Sequence, residues 1–205
     1  RHMYGCSLLI GLVLLDGIRI FGYFTDRWLS EFTIHPIVGE PRRFERVGDE
    51  SRELRIVTWN VERGVQFDSI VTTLRGLNAD VVLLQEVDMF CRRSGWRNVA
   101  GDLADALGMN WQFAGEFQEI GGGRRRVPAL TGQAVLSRYP IRDAAVIRFK
   151  AQAPFFRWRL NPVQPRRGNR IALRVRTGGI LAYNVHLESA GKETLRRRQL
   201  EEILA

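Results

Sequence analysis

At 205 residues the chain is long enough for one sizeable domain or two small ones. Its 45% apolar and 26% charged content excludes a disordered polypeptide. The net charge is +9, and all but Lys150 and Lys192 of the 31 basic residues are arginines, a residue suited to planar, bidentate contacts with phosphate or carboxylate; the balance is that of a chain with an anionic partner or, as readily, of a solvated basic face.

Residues 1–35 form an apolar N-terminal segment. YGCSLLIGLVLL (4–15) breaks at Asp16 and resumes as GIRIFGYF (17–24). The first run is shorter than the roughly 20 apolar residues a membrane-spanning helix needs. After Arg1 and His2 it reads as the remnant of a signal peptide or anchor, or equally as a buried or surface-lying helix. It favours a membrane-associated or extracytoplasmic location, with membrane association through this segment and no protein partner expected. Cys6 within it and Cys91 downstream are too few and too distant for a disulfide framework or a zinc site.

PIVGEPRRFERVGDESRE (36–53) is rich in proline, glycine and charge, and reads as a linker. A domain over 54–205 follows. LRIVTW (54–59) is an alternating, β-branched strand, and Phe67, Ile70, Val71, Leu74 and Leu77 give residues 66–77 helical spacing. Residues 80–86 form a second strand. Val99, Leu103, Ala106 and Leu107 mark a helix that Gly108 ends. WQFAGEF (111–117), GQAVLS (132–137), AAVIRF (144–149), RIALRVR (170–176) and ILAYNVHL (180–187) are strand-like, and a helix begins near Lys192. Two βα units followed by a run of strands argue for a mixed sheet with flanking helices. Between these elements, GGGRRR (121–126) reads as a flexible basic loop. APFFRWRLNPVQPRRGNR (153–170) interleaves aromatics with arginines, which can stack on bases, sit at a membrane interface or cap a core.

ADVVLLQEVD (79–88) poses the chemical question. Four apolar residues lead directly into Gln85, Glu86 and Asp88, and a carboxylate beside a core needs a basic side chain, a backbone terminus or a metal ion. Asn60 ends the first strand, and Asn184 and His186 share one face of the last. Polar groups at several strand ends converge where an α/β sandwich builds its site. A carboxylate with an amide nearby suits Mg²⁺, whereas a lone histidine does not suit zinc.

LRIVTWNVERG, ADVVLLQEVD, TGQAVLSRYPI and LAYNVHLESAG, in this order, resemble the endonuclease/exonuclease/phosphatase superfamily of Mg²⁺-dependent phosphoesterases, over roughly residues 53–205. The resemblance implies a four-layer α/β sandwich, two packed mixed sheets flanked by helices, with its C-terminal part missing. It implies Glu86 as the ligand of Mg²⁺ (or Mn²⁺ in its place), Asn60 as a further metal-positioning and catalytic residue, and His186 as a catalytic donor to the scissile phosphate. Arg170 falls where a phosphate-contacting arginine is expected, and Gln85 and Asn184 brace the site.

The family's G-D-x-N and S-D-H motifs are not in the chain, so the expectation is an N-terminal fragment, inactive alone, of a phosphodiester hydrolase. The substrate is a nucleic acid or a phospholipid head group. Basic charge and the aromatic–arginine loop favour the first. The N-terminal segment, and an acidic Asp88 that would repel a phosphate backbone, favour the second. A non-catalytic basic module binding an anionic partner is the alternative.

Overall fold

The computed structural model describes residues 37–45, 53–124, 127–153, 166–189 and 193–205. Strand β2 (Ile56–Arg63) leads into helix α1 (Phe67–Leu77), which buries Ile70, Val71 and Leu74 and stops where Asn78 turns left-handed at φ 48°. The chain then returns as β3 (Val81–Met89), parallel to β2. A parallel pair needs such a crossover, and the helix covers the sheet face that the crossover leaves bare.

Helix α2 (Val99–Leu107) starts where the Asn98 side chain accepts a hydrogen bond from the Gly101 N–H, and ends at left-handed Gly108. Strands β4 (Asn110–Arg124) and β5 (Val127–Ser137) form a long antiparallel hairpin. Strand β1 (Ile37–Glu40) pairs with the start of β4, and β7 (Arg166–Gly168) pairs with a later stretch, Phe117–Glu119, of the same strand. The resulting six-stranded sheet runs β1-β4-β5-β3-β2, with β7 also on β4. A second sheet has the order β6-β8-β9, from β6 (Arg142–Arg148), β8 (Ile171–Thr177) and β9 (Ile180–Val185). Helix α3 (Glu193–Leu204) docks through Glu202, which accepts from the Lys150 and Ala151 N–H groups, and through Gln199, which is fully buried.

Two cores follow from the period-2 alternation of the strands. Val82, Leu84 and Val87 of β3 face α1 and α2, together with Phe113, Leu130 and Leu136. Val81 faces the second sheet, against Val135, Ile171, Leu173 and Val175. Each of the large side chains fully enclosed there contributes roughly 1.5–3 kcal/mol by leaving water. The expected α/β arrangement of two packed sheets with helices is therefore what the chain forms.

Local expectations need three corrections. Residues 37–40, placed in a linker by composition, form edge strand β1; it is exposed on both faces, so it joins through its backbone and leaves no apolar pattern to read. The Gly121–Arg124 stretch, read as a loop, continues β4: glycines pass through the hairpin without adding packing. Strands β4 and β5 are accordingly longer than their apolar centres. The apolar run within 1–36, residues 46–52, Arg125, Arg126 and residues 154–165 of the aromatic–arginine segment lie outside the described residues. Among the described residues no helix is long and apolar enough to cross a membrane.

Candidate active site

Adjacent strands β2 and β3 are both interrupted at the same level. Their ladder is regular through Asn60↔Gln85 and then skips to Arg63↔Val87. On the other side of β3, pairing with β5 jumps from Leu84↔Ala134 to Val87↔Gly132. Three non-glycine residues in this short region take positive φ: Glu62 at 45°, Arg63 at 70° and Glu86 at 52°. Left-handed backbone is disfavoured for residues with a Cβ, and clusters of it mark functional sites. The bulge in β3 also switches side-chain parity, so that Gln85 and Glu86 leave the alternation of Val81–Leu84.

The interruption frees backbone carbonyls, and the second sheet satisfies them. Asn184 of β9, 1% exposed, donates from its amide to the Leu84 carbonyl at 2.7 Å and to the Ala134 carbonyl at 2.9 Å. Its own oxygen accepts from Gln85 Nε2 at 2.6 Å, and Gln85 also donates to Thr58 Oγ1 at 3.1 Å. Gln85 and Asn184, expected as bracing residues, thus join the two sheets. Asn60 stands beside Gln85 in the ladder, exposed, with its Oδ1 accepting from the Glu62 N–H at 3.0 Å.

Two residues beyond Asn184, His186 is half-buried and held from behind. Arg170 Nη1 donates to His186 Nδ1 at 2.9 Å and to Glu116 Oε2 at 3.2 Å. Because Nδ1 accepts, the proton of the neutral imidazole is on Nε2. Burial lowers the His186 pKa below the ordinary histidine value and the Arg170 charge lowers it further, against smaller opposing pulls from Glu116, Glu86 and Glu188. Glu86 is thus within electrostatic reach of the ring. Among the described residues no ion pair or hydrogen bond reaches the half-buried Glu86 carboxylate. Arg170 is 4% exposed, with its Nη1 shared between Glu116 and His186.

Asp88 behaves differently from its neighbour Glu86. It is fully buried and receives two hydrogen bonds from Arg93, Nε to Oδ2 at 2.8 Å and Nη2 to Oδ1 at 2.7 Å. Arg93 also donates to Glu119 at 3.0 Å, and Thr131 shares its hydroxyl between the two carboxylates at 2.8 and 2.9 Å. The expectation that Asp88 would repel a phosphate backbone is therefore corrected: its charge is enclosed and neutralised. Cys91, beside this cluster, is an inert buried thiol whose pKa is pushed far up, first by burial and then by Asp88.

A model of the Endonuclease/Exonuclease/phosphatase family matches residues 57–204, which contain both bulges, Glu86, Glu116, Arg170 and His186. The chain belongs to the endonuclease/exonuclease/phosphatase family. Members of the family are usually hydrolytic phosphoesterases and generally use divalent metals. Among solved structures, this member is similar to an endonuclease/exonuclease/phosphatase from Beutenbergia cavernae (21% identity, TM-score 0.49, covering 74% of this chain and 42% of that one). It is also similar to ANGEL2, a 2',3'-cyclic phosphatase (15%, 0.48, 85% and 50%), and to an AP endonuclease from Archaeoglobus fulgidus (13%, 0.42, 74% and 49%). The chain thus spans about half the length, or less, of these structures. No curated protein sequence matches it.

Sequence reasoning about this family member missed Glu116. The residue is 1% exposed, sits at the β4 irregularity between Gly115 and Phe117, and accepts from Arg170 and, through Oε1, from Gln133 at 3.1 Å. The signal was present: a lone carboxylate inside WQFAGEF poses the same question as Glu86 inside ADVVLLQEVD. Among the described residues no group of three or more histidine, cysteine or acidic side chains is placed to hold a metal. One open carboxylate with a neighbouring amide fits Mg²⁺, which keeps most of its water shell, and does not fit zinc.

Proposed function

We propose that the protein carrying this chain is a Mg²⁺-dependent phosphodiester hydrolase with its centre at Glu86, Asn60 and His186. The observation that supports the reading most is the contrast between two neighbouring carboxylates. Asp88 is sealed against Arg93, while among the described residues no ion pair or hydrogen bond reaches Glu86, which stands on a strained bulge within electrostatic reach of a neutral histidine. An unneutralised, half-buried charge on disfavoured backbone opposes folding, and a cation binding there offsets that cost. Glu86, helped by Asn60, would hold the ion; when bound it supplies Lewis-acid stabilisation of charge on phosphate oxygens.

The chain's own residues do the rest. His186 presents its Nε2–H to a non-bridging phosphate oxygen as a neutral donor. Arg170 fixes the ring through Nδ1, and Glu116 offsets the arginine's charge so that the imidazole need not. Gln85 and Asn184 prevent the sheets from shifting under the pair. With Asp88 neutralised, the balance of +9 favours a nucleic-acid substrate over a phospholipid head group.

Two measurements test the reading. Addition of Mg²⁺ to this chain should raise its melting temperature by mass action, and Glu86→Gln should remove the rise. In the complete protein, Glu86→Gln and His186→Asn should each lower turnover of a simple phosphodiester by about 100-fold or more. Full hydrolysis by the Glu86→Gln protein would refute the proposal.

A further inference from the structure

Beyond β3 the chain makes a tight loop, residues 90–97, that folds toward the outer part of β4. Phe90 and Trp96 take left-handed backbone there, at φ 58° and 64°, which is disfavoured for residues with a Cβ. The loop is pinned nonetheless. The Phe90 N–H donates to the Arg97 carbonyl at 2.8 Å and the Trp96 N–H to the Cys91 carbonyl at 2.9 Å. Arg124 of β4 lies over the Trp96 ring, its guanidinium carbon 4.9 Å from the centroid. Across from the loop, β4 loses register with β5 between Glu119 and Arg124. Between loop and strand is a cavity of about 540 Å³, walled by Arg92 and Arg93 on one side and by Glu119, Ile120, Gly121 and Gly122 on the other. That volume is within the roughly 300–1,000 Å³ of small-molecule sites.

Two charged groups in the wall are only half used. Glu119, 7% exposed, accepts through Oε1, from Arg93 Nη2 at 3.0 Å and from Thr131 at 2.9 Å. Arg93 donates through Nε and Nη2, to Asp88, Glu119 and Thr131. Among the described residues Glu119 Oε2 and Arg93 Nη1 make no hydrogen bond, and neither is shut away from solvent. The Arg93–Glu119 contact holds this acceptor and this donor side by side. A carboxylate oxygen so nearly enclosed calls for a partner.

The charge balance says what that partner is not. Asp88 and Glu119 are offset by Arg93 and by Arg166, which stands opposite Glu119 in the β4–β7 ladder. The enclosed groups therefore carry no surplus charge to attract a phosphate or a metal ion. They suit a neutral, planar edge with an N–H donor next to a carbonyl acceptor. Exposed Arg92 adds a guanidinium plane on which a ring can stack.

We propose that the cavity binds a nucleobase, guanine before the others. The ring N–H and the amino group of guanine would donate to Glu119 Oε2, while its O6 accepts from Arg93 Nη1. Binding of the base does not depend on the hydrolase reading but sharpens it. Arg93 is bonded to Asp88 on the same strand as Glu86, so the base sits beside the proposed centre and selects which nucleotide reaches it.

The test titrates the full chain, in EDTA and without phosphate, with guanosine and with 1-methylguanosine, whose ring N–H is blocked. Backbone amide shifts are followed by NMR. Guanosine should move the Ile120, Gly121 and Gly122 signals and bind about tenfold more tightly than the methylated form, the discrimination expected of one bidentate contact. Adenosine, with an acceptor where guanine has its ring N–H, should behave like the methylated form. Glu119→Gln should bring the affinities for guanosine and 1-methylguanosine within about twofold of each other.

No movement of those three signals up to the solubility limit of guanosine overturns the pocket, and so does equal binding of the two nucleosides by the wild type. Both readouts use the unaltered chain, so they decide the matter even where Glu119→Gln fails to fold. An unchanged preference in a Glu119→Gln chain with wild-type melting temperature overturns it as well. Each of these results leaves the hydrolase reading standing if Mg²⁺ binds through Glu86. Guanosine binding without Glu86-dependent Mg²⁺ binding keeps the pocket and removes the hydrolase reading.

Discussion

Nδ1 of His186 is spent on Arg170, and this fixes what the residue can do. Its remaining nitrogen is a donor while the ring is neutral, and the ring is held neutral first by burial and then by the arginine beside it. The linkage has a definite sign. The folded-state pKa lies below the unfolded value of about 6.5, so as pH falls through that value the unfolded chain takes up the proton first. Stability should therefore decline below about pH 6.5 and be indifferent to this group above it. Replacing the ring by His186→Asn should flatten that acid limb, which melting curves across pH 5–8 would reveal. An unchanged acid limb in the variant would mean that the ring is not the residue titrating. The same residue explains why Arg170 was legible only in part. RIALRVR announces a strand, and the resemblance assigns a phosphate contact, but the bonds to Glu116 and His186 depend on how two sheets stack, which no local pattern encodes.

Elements were readable where side chains are packed and unreadable where backbone alone decides. The centre of β2 announces itself through β-branched alternation, those of β3, β8 and β9 through apolar runs, and α1 and α2 through helical spacing, with Gly108 as the stop of α2. β1 and the glycine stretch of β4 carry no such pattern, yet both join the ladder. β7 is the extreme case: three residues, Arg166–Gly168, held on β4 largely by the approach that Gly168 permits. Gly168 has φ 134°, and a Cβ there would lie 2.0 Å from the Glu116 carbonyl oxygen. Gly168→Ala should thus lift β7 off its neighbour and move Arg166 with it. Because the element is a short edge, the cost in denaturant unfolding should be modest, about 1–3 kcal/mol, and no loss at all would show that β7 does not depend on this close approach.

Across the whole molecule, the two sheets meet through apolar side chains and, at one end, through the amide of Asn184. That amide bonds the carbonyls of two different strands of the opposite sheet and accepts from Gln85. Asn184→Ala takes the donor from two enclosed carbonyls, while Gln85 keeps Thr58, at a cost of about 2–4 kcal/mol in urea unfolding; a loss below about 1 kcal/mol would mean that water takes the place of the side chain. The basic balance of the chain was visible from its totals, but the selective part was not: Arg93 neutralises the buried Asp88. The Asn184 junction also bears on motion. Residues that weld two layers cannot loosen singly, so exchange of protons from this amide requires the layers themselves to come apart. Among the described residues, the layers behind the proposed centre accordingly form a preformed anvil.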